Sequence, residues 1–124
     1  EHVADSEGLL AMASRRLRPG GTLVLSVPNV QYWPVLKGLL EGHWTYTEAG
    51  VLDRTHLRFF TRESLIRLIH GAGLEITGAA LQHDLLAEAP PPDLFEALRG
   101  MGLTVAALER DATVAQFIVA CRRS

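Results

Sequence analysis

Hydrophobic positions along the chain alternate between helical spacing and short apolar runs. The first helical pattern begins after Asp5, a favourable N-cap residue, and ends at Pro19-Gly20-Gly21. A nearly unbroken β-favouring run follows at residues 22–27, which is typical of a strand buried on both faces of a parallel sheet. We therefore expect a helix followed by an interior strand.

Further helices and strands follow in the same alternation. A helix is expected from residue 32 or 33 to residue 40, because Pro34 is tolerated only in its first turn. The best specified helix begins at Thr61, with Phe60 and Leu65 placed as a hydrophobic staple. Strands are predicted at 74–82 and 113–122.

Residues 84–111 carry a weaker pattern. Asp93 and Glu96 have the spacing of a helix N-terminal capping pair, which predicts a short helix that ends near residue 99. Residues 105–110 predict one or two further helical turns. We interpret 84–111 as a variable helical insertion.

This order of elements indicates the last part of an α/β layered sheet. Ligands in such sheets lie beyond the carboxyl ends of the parallel strands, which places Asn29 at the functional edge. Residues 30–60 then form a long excursion from that edge. Long excursions usually carry function, so we interpret 30–60 as the candidate functional segment.

Composition limits the classes of partner. The chain has 124 residues and a net charge of -2, which fits one domain and implies neither nucleic acid nor an anionic membrane as partner. Its longest apolar runs, 22–27 and 114–121, are shorter than the roughly 20 residues of a membrane span. Cys121 is the single cysteine, which excludes an intrachain disulfide, is compatible with a cytoplasmic protein, and predicts a buried core thiol.

Five short motifs resemble one family. They are EHVAD at 1–5, LRPGGTLVLSVPN at 17–29, GHW at 42–44, LDRTHLRFFT at 52–61 and AGL at 72–74. Together they resemble the C-terminal half of a class I S-adenosylmethionine-dependent methyltransferase, in the bacterial branch often fused to glycosyltransferases. The resemblance covers nearly the whole chain except 84–111. It implies a partial Rossmann-like sheet made of the last three of seven strands, with the final strand antiparallel and inserted between the other two.

The resemblance implies S-adenosylmethionine as cofactor, but most of its site has no counterpart here. The family's glycine-rich turn belongs to the first strand, and Gly20-Gly21 follows a helix and opens a strand, the reverse of the order that a nucleotide loop needs. The ribose-binding acid has no counterpart either. The chain also begins at Glu1 without a methionine. We therefore expect part of a larger protein, inactive alone and without ordinary affinity for S-adenosylmethionine.

The resemblance also places Glu1 and His2 at the end of the family's fourth strand. There both residues would lie beside the cofactor's methyl group, and His2 would orient the acceptor or take its proton. The alternative is that Glu1-His2 is a disordered chain end.

The segment 50–61 is the second candidate site, and it has two interpretations. As scaffold, Asp53 and Arg58 would pair across a turn while Phe59-Phe60 fixes the segment to the core. As an acceptor site, His56 would be catalytic and Arg58 would bind substrate. The remaining predicted substrate-binding residues are Trp44, Tyr46, Asp53 and Asn29. The resemblance implies a small-molecule acceptor, such as a sugar or a related polar metabolite.

No metal site is expected from the sequence. The five histidines show neither HxH nor HExxH spacing and have no cysteine pair nearby. Two functional hypotheses stay open: the acceptor-side half of a methyltransferase, or a noncatalytic interaction module derived from that fold. In either case we expect an open strand edge at 22–27, covered by self-association or by the missing N-terminal half.

Overall fold

The computed structural model describes residues 1–84 and 86–123. Leu85, inside the predicted insertion, and Ser124 lie outside the described residues. The elements are α1 (Ser6–Arg16), β1 (Thr22–Pro28), α2 (Trp33–Leu40), α3 (Arg62–Gly71), β2 (Leu74–His83), α4 (Pro92–Gly100), α5 (Ala106–Asp111) and β3 (Val114–Arg123). No helix in the described parts of the chain is long and apolar enough to cross a membrane.

The three strands form one sheet in the order β1-β3-β2. The last strand is antiparallel to both neighbours, with Val119 opposite Leu25 on one side and opposite Ala79 on the other. β1 and β2 therefore run parallel to each other on either side of β3. This arrangement confirms the predicted partial α/β sheet, including its inserted antiparallel last strand.

Helices cover one face of this sheet. Leu10 of α1 and Ile69 of α3 pack with Val119 and Phe117 in the main core cluster. On the opposite face Val24 is 62% exposed. The prediction that the first strand is buried on both faces is therefore wrong, because α1 and α3 pack against the same face.

The start of α3 matches its sequence pattern closely. Thr61 caps the helix, its hydroxyl accepting the Ser64 N–H while the Ser64 hydroxyl accepts the Thr61 N–H at 2.9 Å. Phe60 and Leu65 lie in one core cluster, which confirms the hydrophobic staple. Cys121 is fully buried in the same cluster, as predicted, and this burial raises the pKa of its thiol.

The segment 84–111 contains the two expected helices, α4 and α5, but one of them begins differently. The N-cap of α4 is Pro91, which offers no side-chain cap hydrogen bond, and Asp93 lies inside the first turn. The predicted capping pair is therefore wrong, because proline's fixed φ favours the first turn of a helix and moves the start upstream. A second apolar cluster, formed by Trp33, Leu108 and Ala112, joins α2 to α5.

Candidate functional site

The first residue of the chain is bound to the 50–61 segment by backbone hydrogen bonds. The carbonyl oxygen of Glu1 accepts the N–H groups of Leu57 at 2.6 Å and Arg58 at 3.1 Å. This pairing places Glu1 and His2 directly against the segment that contains His56. The alternative of a disordered chain end is therefore wrong, because these backbone bonds hold the residues in place.

Three predicted site residues come together there. Oε1 of Glu1 lies 3.2 Å from Nε2 of His2 and 3.4 Å from Nε2 of His56. The two imidazole rings meet edge to face, with centroids 4.7 Å apart. We call these three residues the Glu-His-His cluster. The sequence motifs named all three, but only the folded chain shows that they share one carboxylate oxygen.

The members of the Glu-His-His cluster differ in how deeply they are buried. His56 is only 8% exposed, and its Nδ1 lies 2.9 Å from the carbonyl oxygen of Val51, which is itself buried. His2 is exposed, whereas Oε2 of Glu1 is buried without a hydrogen-bond partner among the described residues. The cluster therefore has one open side at His2 and one closed side at His56.

Asp53 and Thr55 support the exposed side. Oδ1 of Asp53 accepts hydrogen bonds from the hydroxyl of Thr55 at 2.6 Å and from its N–H at 2.8 Å. These bonds lower the pKa of Asp53, and the bond from the hydroxyl has the larger effect. The Thr55 hydroxyl in turn lies 2.9 Å from Nδ1 of His2. Asp53 thus acts on the cluster through Thr55, a residue that the sequence analysis did not count among the site residues. The spacing Asp-x-Thr is its one local signal, since it favours an Asx turn.

Arg58 does not pair with Asp53, so the predicted ion pair is wrong. The exposed guanidinium donates at 3.3 Å to the carbonyl of Leu57, its neighbour in the chain. Oδ1 of Asp53 accepts hydrogen bonds from Thr55 instead. Arg58 also lines a cleft of about 670 Å³ beside α1 and α3. Its predicted role in substrate binding stays a prediction.

Trp44 and Tyr46 lie on the surface of the 30–60 excursion. The indole of Trp44 packs edge to face on Phe59, with ring centroids 5.3 Å apart, and remains 37% exposed. Tyr46 is 44% exposed. Both rings therefore present apolar surface to solvent. Their role as a binding wall stays a prediction.

Asn29 has a structural role at the end of β1. It is fully buried, and its Nδ2 donates to the carbonyls of Asp111 at 2.9 Å and Val114 at 2.8 Å. Its Oδ1 accepts the N–H of Gln31. Because its amide is committed at both ends and closed to solvent, the geometry does not support the predicted contact between Asn29 and an acceptor.

A buried carboxylate with two arginine partners holds the elements around Asn29 together. Asp111 is fully buried and accepts from Nε of Arg62 at 3.1 Å and from Nη2 of Arg110 at 3.0 Å. This carboxylate raises the pKa of Arg110 by direct hydrogen bonding. Arg62 also lies over the ring of Phe117. The network joins the start of α3 to the end of α5, and the local sequence pattern does not predict it.

The chain's own turns do not fit the nucleotide part of S-adenosylmethionine. Gly20, with φ +77°, lies in the turn from α1 to β1, which leads from helix to strand. The strand-to-helix turn between Pro28 and Trp33 contains no glycine. A phosphate or nucleotide loop needs small residues at such a strand-to-helix turn. The described residues therefore provide the Glu-His-His cluster without the backbone cradle of a nucleotide site.

Comparison with known proteins adds one match. A family model described as a methyltransferase domain matches residues 1–79. The matched range contains the Glu-His-His cluster, its supporting residues and the elements from α1 to α3, and it ends within β2. No curated protein matches the chain significantly.

Proposed function

Because the chain belongs to the methyltransferase domain family, we propose that its Glu-His-His cluster receives the acceptor of an S-adenosylmethionine-dependent methyl transfer. The observation that supports this proposal most strongly is the convergence of two imidazoles on one carboxylate oxygen, at 3.2 Å and 3.4 Å. Methylation of a hydroxyl requires loss of its proton, and histidine is the side chain best suited to assist that loss near neutral pH.

The proposed acceptor is a small molecule with hydroxyl groups, such as a sugar or a related polar metabolite. His2 is the exposed side of the cluster and His56 is buried, so such a hydroxyl would approach the cluster at His2. The exposed rings of Trp44 and Tyr46 would pack against the apolar face of a sugar ring. Exposed Arg58 would provide a charge for an anionic substituent on the acceptor.

The methyl donor is proposed to be held by a part of the protein outside these 124 residues. S-adenosylmethionine would supply the activated methyl group there. No residue of this chain is assigned to its nucleotide. The role proposed for this chain is to bind the acceptor hydroxyl, orient it and ease the loss of its proton. The 124 residues alone are proposed to be inactive.

Transfer of a tritiated methyl group by the complete protein tests this function. The protein is incubated with labelled S-adenosylmethionine and three acceptor classes: nucleotide sugars or free sugars, carboxylic acids, and primary amines. We expect label in the sugar fraction, as an O-methyl ether that survives mild base hydrolysis. Label in a methyl ester or methylamine would contradict the proposed acceptor.

A second outcome separates the enzyme from a binding module. If the complete protein binds S-adenosylmethionine and transfers its methyl group to none of these classes, the catalytic proposal fails. Saturable sugar binding without transfer would favour the noncatalytic interaction module. Measuring cofactor binding and methyl transfer on the same preparation distinguishes these results from a loss of folded protein.

A further inference from the structure

The hydrogen atoms of the Glu-His-His cluster are fixed by its neighbours. Nδ1 of His56 lies 2.9 Å from the carbonyl oxygen of Val51. A carbonyl oxygen only accepts hydrogen bonds, so Nδ1 carries the hydrogen. In the neutral ring, Nε2 is then left with a lone pair. That lone pair faces Oε1 of Glu1, at 3.4 Å.

The same reasoning assigns the ring of His2. The Thr55 hydroxyl lies 2.6 Å from a carboxylate oxygen of Asp53, which accepts its hydrogen. Thr55 Oγ1 is therefore an acceptor toward Nδ1 of His2, at 2.9 Å. Nδ1 of His2 carries the hydrogen, and in the neutral ring Nε2 has a lone pair. This second lone pair also faces Oε1 of Glu1, at 3.2 Å.

Two imidazole lone pairs and a carboxylate oxygen repel one another unless a positive charge lies between them. Charge-assisted hydrogen bonds are usually about 2.7–2.9 Å long, and both contacts to Glu1 are longer. Donor atoms bound to one metal ion at about 2.0–2.2 Å lie about 3.0–3.5 Å from their neighbours. The two contacts at 3.2 Å and 3.4 Å fall within that interval.

We propose that Glu1, His2 and His56 bind one divalent transition-metal ion. Their candidate ligand atoms all lie within 4.8 Å of one another, and an ion bound at about 2.0–2.2 Å would draw the two imidazole nitrogens closer together than that limit. Each histidine donates its other ring N–H to an acceptor, His56 to Val51 and His2 to Thr55, as metal-binding histidines usually do. Oε2 of Glu1 is buried without a partner among the described residues, so it is available as a further ligand atom.

The donor set indicates the class of ion. Two imidazole nitrogens with one carboxylate suit zinc, manganese or iron(II), whereas magnesium and calcium prefer sites made of oxygen ligands alone. Three protein ligands leave at least one coordination position open, as in catalytic metal sites. The exposed position of His2 gives solvent and small molecules access to that position.

The open position also fits the acceptor, a point that rests on the proposed methyltransferase function. A hydroxyl bound to the ion would lose its proton to solvent more readily, since a bound cation stabilises the oxyanion. In the metal-bound state Nε2 of His2 and Nε2 of His56 would both bind the ion, so the ion, held by the two imidazoles, would ease the proton's loss in place of a histidine acting as base.

Binding of Mn²⁺ to the complete, chelator-treated protein tests the site. Free Mn²⁺ is measured by its electron paramagnetic resonance signal, and Zn²⁺ competes for the same equivalent. We expect one equivalent of bound Mn²⁺, and at least tenfold weaker binding in Glu1→Gln and His56→Asn. His43→Asn, at an exposed histidine of the same excursion, should bind as the wild type does. Equal affinity in all four proteins, or no saturable binding, would overturn the proposal.

Two further measurements show where the ion binds and whether methyl transfer depends on it. In the wild-type protein Mn²⁺ should broaden the ring resonances of His2 and His56 before those of His43, and the reverse order would overturn the site. Methyl transfer is measured on the same sample with and without chelator. Transfer unaffected by chelator, without Mn²⁺ binding, refutes the metal while the proposed function stands. One bound equivalent without any methyl transfer supports the metal and refutes the proposed function.

Discussion

The hydroxyl of Thr55 lies 2.9 Å from Nδ1 of His2, and it is itself anchored 2.6 Å from Oδ1 of Asp53. This contact orients an exposed histidine toward Glu1, which the chain's first backbone hydrogen bonds hold in place. The Asp53 carboxylate fixes the Thr55 hydroxyl, and this hydroxyl in turn fixes the His2 imidazole. It explains how a side chain on the surface keeps one ring orientation.

Thr55→Val should disturb function without disturbing the fold. Valine keeps the shape of threonine but cannot accept the His2 N–H, so methyl transfer by the complete protein should fall about 10- to 100-fold. The melting temperature should change little, since Thr55 is exposed. Thr55→Ser, which restores the hydroxyl, should recover most of the rate. Full activity in Thr55→Val would show that this contact does not position His2.

Asp111→Ala should be strongly destabilising. The carboxylate is fully buried, whereas Arg62 and Arg110 are 28% and 51% exposed, so its removal loses charge-assisted hydrogen bonds at a cost of about 2 kcal/mol or more. Glu63→Ala is the matched control, because Glu63 pairs with Arg67 on the surface of α3. That change should cost less than about 1 kcal/mol. Urea unfolding measures both, and equal losses would contradict a structural role for the buried network.

The stability of the protein should fall between pH 10 and pH 12 through Tyr32. Burial and a hydrogen bond to Asp84 raise the pKa of Tyr32 from 10.0 to about 12. In this window Tyr32 is protonated in the folded state and ionised in the unfolded state. Its contribution to the free energy of unfolding is therefore complete below pH 10 and disappears as the pH rises toward 12. Tyr32→Phe should flatten this fall in the free energy of unfolding, whereas Tyr46→Phe should retain it. An unchanged slope in Tyr32→Phe would contradict the assignment.

The outer edge of β1 should mediate self-association of the isolated chain. Among the described residues β1 pairs with β3 alone, and Val24 beside this edge is 62% exposed. An apolar cleft of about 280 Å³, lined in part by Leu23 and Leu25, borders the same strand. Open edges with apolar side chains pair readily with other strands.

Sedimentation equilibrium measures this association. Val24→Lys should weaken it at least tenfold, because a charge at an edge strand opposes pairing. Met101→Lys, at an exposed position after α4, is the control and should associate as the wild type does. A wild-type chain that stays monomeric at high concentration would refute the predicted interface.

Local patterns were sufficient to predict most elements of the fold. The cap at Thr61 and its hydrophobic staple depend on residues within one turn, so the sequence shows them directly. Exposure of Val24 could not be predicted in this way, since an apolar run is the same whether one face or both faces of the sheet are covered. The start of α4 was misplaced because an acidic pair and a proline each favour a helix start, and the proline determined it.

The candidate site was predictable in its members but not in its geometry. Motifs named Glu1, His2 and His56, yet spacing rules for metal sites detect only ligands that are close in sequence. These three meet because backbone bonds join Glu1 to the 50–61 segment, a long-range contact without a local signal. Asn29 shows the opposite case. Its position after a strand predicts ligand binding. Its hydrogen-bond partners on β3 and α5 are distant in sequence, so the sequence pattern does not reveal them.

The turnover of His56→Asn in the complete protein tests the acceptor role of the Glu-His-His cluster most directly. The asparagine amide can still donate to the carbonyl of Val51, as Nδ1 of His56 does, but no atom replaces Nε2. We expect turnover to fall about 100-fold or more while the melting temperature changes little, with His43→Asn unchanged in both. A stable His56→Asn protein with wild-type turnover would contradict the account.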